Sequence, residues 1–288
     1  MTAADGGRHS FGDRLAAAMG AHGQLCVGID PHPELLERWG LGDDAAGLRE
    51  FAMRCVAAFG GHVAAIKPQS AFFERHGAAG IAVLEEVLAA ARAAETLTIL
   101  DVKRGDIGST MRGYAEAYLR PDAPLVTDAI TLSPFLGAES LQPAIDLALE
   151  HGRGVFILAL TSNAEGAGVQ HARGSDSRSV AQAVVDYAAR HNAGTTLGSV
   201  GLVVGATIGG APTDLGIDLA ASRAPLLAPG VGAQGAGPPE LRAVFGSARS
   251  AVLASSSRGV LRAGPDVEDL RRAAQTASRE ATTALRAQ

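Results

Sequence analysis

Short, mainly apolar runs recur along the chain, each fitting a strand buried on both faces rather than a half-exposed, alternating one. They cover residues 25–29, 63–66, 97–100, 125–130, 155–160, 200–204, 225–228 and 251–254. Most of the stretches between them carry helical periodicity. Over 44–60 the residues Leu48, Phe51, Ala52, Cys55 and Phe59 follow an i, i+3, i+4, i+7 rhythm, with Asp43 or Asp44 as N-cap and Gly60-Gly61 as stop. Residues 80–95 repeat the rhythm with Ile81, Leu84, Leu88 and Ala91, and 179–191 and 240–245 read similarly. Eight strands alternating with helices predict a single (β/α)8 TIM barrel with an N-terminal arm. A polar, Ala- and Arg-rich helix over 266–288 is predicted to close its outer ring. An open doubly wound sheet would place Gly-x-Gly-x-x-Gly directly after the first strand, and this chain has Asp30-Pro31-His32-Pro33 there. The glycine-rich stretches 163–177 and 230–239 each follow a strand and read as loops. Trp39, the single tryptophan, is expected to pack in the connector after the first strand.

Composition removes several function classes. With 47% hydrophobic residues and a net charge of −5 over 288 residues, the chain is not a disordered one. It has no basic stripe for nucleic acid, and no apolar run approaches the roughly 18 residues of a membrane span. Residues 1–23 carry Asp5, Arg8, His9, Asp13 and Arg14 and lack the apolar region of a signal peptide. Cys26 and Cys55 lie in apolar segments without metal-ligand spacing, which reads as buried, reduced thiols of a cytoplasmic protein. The only lysines are Lys67 and Lys103; every other basic side chain is arginine.

Barrel enzymes place their chemistry at the C-terminal ends of the strands, so the polar residues that follow each apolar run are the candidates. The first strand delivers Asp30, the second Lys67, and the third Asp101, Lys103 and Asp106. The fourth offers Asp128 and Thr131, the fifth Thr161, Ser162 and Asn163, and the eighth Ser255 to Arg258. Both lysines thus fall at adjacent strand ends. Lysine can give up a proton at useful pH and arginine cannot, so lysine kept only here points to a transferable ammonium proton. Asp101 and Lys103, two apart in an extended segment, point to the same side, and Lys67 arrives from the neighbouring strand. In that Lys–Asp–Lys alternation each charge supports its neighbour, and Asp106 either extends the array or reaches a neighbouring subunit. After the seventh strand Gly230, Gly232 and Gln234 offer close backbone approach and an amide, and Arg258 a planar fork, where this fold usually binds phosphate. Residues 235–239 read as a lid over that site. The histidines show no zinc-binding spacing.

Asp101-Val102-Lys103-Arg104-Gly105-Asp106-Ile107-Gly108 resembles the D-x-K-x-x-D-I-G signature of the orotidine 5′-phosphate decarboxylase family. Gly28-Ile29-Asp30-Pro31, Ile66-Lys67-Pro68 and Pro229-Gly230-Val231-Gly232-Ala233-Gln234-Gly235 are similar to its other motifs, and Thr161-Ser162-Asn163 to its type 2 subgroup. The resemblance spans about residues 11–264, the expected core of one barrel domain formed by the whole chain, 1–288. It implies decarboxylation of orotidine 5′-monophosphate to UMP by a homodimer without metal or organic cofactor. Lys103 would protonate C6, Asp101 would sit by the substrate carboxylate, and Lys67 and Asp106 from the partner subunit would complete the charged array. Thr110, from that same partner segment, and Asp30 would contact ribose hydroxyls, and Ser162 the pyrimidine edge. Gln234 and Arg258, with Gly230 and Gly259, would hold the phosphate. Magnesium-dependent sugar-phosphate relatives share the D-x-K-x-x-D strand but carry an acidic group where this chain has Lys67.

Overall fold

The computed structural model describes residues 9–231 and 235–287. Each apolar run yields one strand: β1 Leu25–Ile29, β2 Ala65–Pro68, β3 Leu97–Arg104, β4 Ala129–Leu132, β5 Gly154–Leu160, β6 Val200–Val204, β7 Leu226–Pro229 and β8 Val252–Ser256. They pair in parallel in sequence order and β8 closes on β1, so the predicted closed barrel is the one observed. The predicted helix over 44–60 runs Ala45–Phe59, and Asp44 Oδ1 accepts from Gly47 N at 2.8 Å as its cap. Trp39 stacks on Phe51 with ring centroids 4.1 Å apart and donates Nε1–H to Leu261 O.

Two expectations need correction, and a third gains detail. The fourth strand starts at Ala129, not at 125, because Val126 N and Thr127 N bond back to Ala123 O and Tyr118 O in a turn rather than to a ladder. Leu125 packs against the outer core and Val126 is buried, which accounts for their apolar character. The stretch 163–177 is not all loop; it contains a short helix, Gly166–Gln170. The N-terminal arm is itself a helix, Phe11–His22, capped by Ser10.

That helix explains how the barrel is filled. Alternate strand residues point inward, and Cys26, Ala65, Ile99, Ala129, Phe156, Val203, Leu227 and Leu253 form one buried cluster with Phe11, Leu15 and Met19 of the helix. Phe11 meets Phe156 edge-on at 5.9 Å, and a Cβ on Gly154 would lie 2.3 Å from the Phe11 ring, so only glycine fits beneath it. The plug shuts the N-terminal end and leaves the other end open. The outward-facing strand residues meet the surrounding helices in a second, larger cluster, to which the C-terminal helix Val267–Arg286 adds Leu270, Ala274 and Leu285. No helix among the described residues is long and apolar enough to cross a membrane.

Phe11 is fully buried and carries the plug. Phe11→Ala is expected to destabilise the fold by about 3–5 kcal/mol, read from urea unfolding. A loss below about 1 kcal/mol would mean that the helix is not part of the core.

Candidate active site

The inward columns continue upward into polar residues. Lys67 lies two residues beyond Ala65, Asp101 and Lys103 two and four beyond Ile99, and Thr131 two beyond Ala129. Alternation projects Lys67, Asp101 and Thr131 into the barrel mouth, and Lys103 joins them there. They line a cleft of about 1320 Å³ together with Asp30, Gly230 and Arg258, and the cleft runs on as a side crevice along the C-terminal helix.

At its floor Asp101 is held between the two lysines. Lys67 Nζ donates to Asp101 Oδ2 at 2.8 Å, and Lys103 Nζ donates to Asp101 Oδ1 at 2.6 Å. Gln69 Oε1 accepts a further bond from Lys67 Nζ at 3.2 Å. Lys67 and Asp101 side chains are 8% and 9% exposed, whereas Lys103 is 47% exposed, so one ammonium is structural in character and the other faces the cleft. Burial alone would raise the Asp101 carboxyl, but Lys67 and then Lys103 outweigh it and bring it down to about 2. For Lys67, burial works to neutralise the ammonium, and Asp101 and Asp30 overcome it, leaving the group above its ordinary range. Beneath them, burial pushes the Cys26 thiol up to about 12, which leaves it inert.

β3 is bent at this point. Leu100 pairs with Ile130 and Arg104 with Leu132, so Asp101, Val102 and Lys103 bulge opposite Thr131. Lys103 takes φ +43°, the left-handed region. Asp30 also lines the cleft, at the end of the strand beside Lys67, and its buried Oδ1 has no hydrogen-bond partner among the described residues. On the β7–β8 side, Ala236 N donates to Gly230 O at 2.8 Å, and Arg258 and Gly259 open a short helix, Arg258–Leu261, after β8.

The other predicted site residues fall as follows. Asp128 is a correction: with β4 starting at Ala129 it sits at the closed end, where it accepts from Arg14 at 2.6 Å and from Thr98 N at 3.0 Å. Ser162 is exposed, and its neighbours Thr161 and Asn163 line the cleft instead. Asp106 and Thr110 lie outside their own barrel's cleft, on the segment that leaves β3. Gln234 lies outside the described residues. The stretch 235–239, read as a lid, is anchored in its course: Ala236 is buried and Pro238 begins the helix Pro238–Phe245. Gln69, His32 and Gln170 line the cleft and were not singled out from the sequence. Strand alternation from Lys67 points to Gln69; nothing in the sequence marks Gln170, which reaches back to bond Thr161. Among the described residues no group of three or more His, Cys, Asp or Glu is placed to hold a metal ion.

Comparison with known proteins agrees with this geometry. The family model described as "Orotidine 5'-phosphate decarboxylase / HUMPS family" matches residues 23–273. A relative from Salinispora tropica named orotidine 5′-phosphate decarboxylase is 58% identical over 277 residues, covering 96% of this chain and 98% of that one. One of the same name from Streptomyces coelicolor is 56% identical over 279 residues, covering 96% and 99%. A solved Streptomyces avermitilis chain superposes with a TM-score of 0.93 at 54% identity over 100% of both chains. Leishmania donovani OMP decarboxylase does so with 0.74 at 35% identity, over 97% of this chain and 100% of that one.

A carboxyl lowered by folding stabilises the native state at pH above its ordinary value of 3.8 and loses that contribution as pH falls through about 2. The stability gap between the wild type and Asp101→Asn is therefore expected to stay level from about pH 7 to 4 and to shrink by about 2 kcal/mol towards pH 2. Urea unfolding across that range checks it, and a gap that already closes between about pH 7 and 5 contradicts the assignment. Lys67, raised by folding, contributes in the opposite sense: its share is present below its ordinary value of 10.5 and fades only as pH rises beyond it.

Proposed function

The chain belongs to the orotidine 5′-phosphate decarboxylase / HUMPS family and decarboxylates orotidine 5′-monophosphate to UMP in pyrimidine biosynthesis; we propose that Lys103 is its proton donor and the Lys67–Asp101–Lys103 array its catalytic centre. The observation that carries this reading is the half-exposed Lys103 ammonium, fixed 2.6 Å from a carboxylate that stays ionised at neutral pH.

The chemistry explains the arrangement. When the bond from C6 to the carboxylate breaks, its electron pair stays in the ring plane, where no π-system can take it up. Stabilisation must come from charge already in place. The Lys103 ammonium faces the developing pair, then passes a proton from Nζ to C6 while CO2 leaves, and the neutral amine regains a proton from solvent. Asp101 lies where the substrate carboxylate would approach, so the bound ground state is repelled and the repulsion fades as CO2 departs. The unpartnered Asp30 Oδ1 suits a ribose hydroxyl, which would supply its missing donor. In this reading Gly230, Arg258 and Gly259, with Gln234, hold the phosphate, and the turn of Thr161, Ser162 and Asn163 meets the pyrimidine edge, with Thr161 and Asn163 already lining the cleft. Lys67 at the end of β2, where magnesium-dependent relatives have a carboxylate, favours a reaction without metal.

We read the enzyme as a cytoplasmic homodimer. Ile107 and Phe135 are 62% and 78% exposed, and Leu136 and Tyr114 are exposed beside them, an apolar patch around the β3 and β4 exits. Asp106 and Thr110 stand at that patch, and a partner barrel docked there receives them at its cleft.

Lys103→Ala is expected to abolish the fall in orotidine monophosphate absorbance while UMP still binds, and Lys103→Arg to be nearly as inactive, because arginine keeps the charge but not the transferable proton. Retained turnover by either refutes the proton-donor role, and loss of wild-type turnover in EDTA refutes the metal-free one. Mixing inactive Lys103→Ala and Asp106→Ala proteins is expected to restore about a quarter of wild-type activity after random exchange in a two-fold dimer. No recovery despite proven exchange places Asp106 outside the shared site.

A further inference from the structure

Thr131 stands alone on β4 opposite the bulge of β3: between the paired residues Leu100–Ile130 and Arg104–Leu132, three β3 residues face this one. A bulge leaves a backbone N–H without its strand partner. Here the Lys103 N–H donates to Thr131 Oγ1 at 2.9 Å, so a side chain completes the interrupted ladder. Having accepted that bond, the hydroxyl spends its single hydrogen on Asp101 Oδ1 at 2.8 Å. The same Oδ1 receives Lys103 Nζ at 2.6 Å, which closes a ring from the Lys103 backbone through Thr131 and Asp101 back to the Lys103 ammonium. Thr131 is 1% exposed, so water does not compete for either bond. Lys103 sits at φ +43°, a conformation that a non-glycine residue keeps only when its surroundings hold it.

We propose that Thr131 is a positioning residue for the decarboxylation: its hydroxyl locks the Lys103 backbone to the Asp101 carboxylate and so sets the direction of the ammonium. Lysine has a long, flexible stem, and the Lys103 side chain is 47% exposed, so packing against neighbours does not fix it. The lock works from the two ends that can be fixed, its backbone and its counter-ion. Valine has the shape of threonine without the hydroxyl, and serine has the hydroxyl without the methyl; the pair separates positioning from packing. The inference rests on Lys103 as proton donor.

The test is steady-state decarboxylation, with UMP affinity measured alongside, for the wild type, Thr131→Val, Thr131→Ser and Lys103→Ala. In Thr131→Val kcat is expected to fall about ten- to hundredfold, with KM and UMP affinity within about threefold of the wild type. Thr131→Ser is expected to keep kcat within about threefold. Thr131→Ala, which also lacks the hydroxyl, is expected to follow valine and takes its place if the valine variant does not fold. An inactive Lys103→Ala beside a hydroxyl-free variant of near wild-type kcat overturns the role of Thr131 and leaves the proton donor standing. Serine no better than valine or alanine overturns it equally, since packing would then account for the loss. Turnover by Lys103→Ala overturns the premise itself.

Discussion

A carboxylate held out of water between two ammonium groups sets the terms for the rest of this structure. Removing Asp101 from solvent costs several kcal/mol, and a single buried partner does little better than offset that. Two cations tip the balance far enough to keep the carboxyl near 2, while Thr131 donates to Oδ1 and Gln69 accepts from Lys67. Such an array needs walls that do not relax. The barrel provides them because its interior is packed solid below the charges, from Cys26 and Ala65 down to the Phe11 plug. On β2 and β3 the hydrophobic floor and the charged mouth share one inward column, so the alternation that buries Ala65 and Ile99 also delivers Lys67 and Asp101, and the bulge then brings in Lys103.

Fixed charge is what a reaction through a localised carbanion requires. Water or a mobile side chain would have to reorganise as the electron pair develops; an ammonium already aimed at the site does not. The division between the lysines follows from their burial. Lys67, enclosed and bonded to Asp101 and Gln69, keeps Asp101 ionised. Lys103, open to the cleft, is free to meet substrate and to regain its proton from solvent. Arginine in either place would keep the charge but not this difference in proton chemistry, which accounts for a chain that uses arginine everywhere else.

Much of this was legible in the residues. Mainly apolar runs mark eight strands, and the placement of two lysines in an arginine-rich chain marks the mouth of the barrel. What the sequence hid were features that depend on register. Leu125 and Val126 are apolar, yet the backbone turns there, so Asp128 lies before the strand at the closed end and serves as a counter-ion to Arg14. The Phe11–His22 helix is Ala- and Gly-rich, and its role as a plug rests on three large side chains finding the barrel floor. Thr131 was visible as a polar strand end, but its use follows from a bulge on the opposing strand that no local pattern announces. Asp30, Lys67, Asp101 and Lys103 meet in one cleft, and Asp106 and Thr110, expected to serve a partner's site, lie outside it.

In the proposed dimer that outward course couples chemistry to assembly. Past Lys103 the chain is constrained at every step: Ser133 N bonds Arg104 O at 2.8 Å, and a Cβ on Gly105 would lie 2.3 Å from Ser133 O. Arg104 reaches Glu74 at 2.6 Å and lies over the Tyr114 ring at 5.6 Å. The segment therefore leaves the barrel in a single direction, with Asp106 carried out beside the exposed Ile107. In the proposed dimer the strand that aims the proton donor into one cleft also aims a carboxylate at the other. A displacement at the interface would then pass along a rigid β3 to the ammonium within a few residues. The left-handed turn at Lys103 lies at the junction of those two demands, which is why its backbone, and not only its side chain, has to be held.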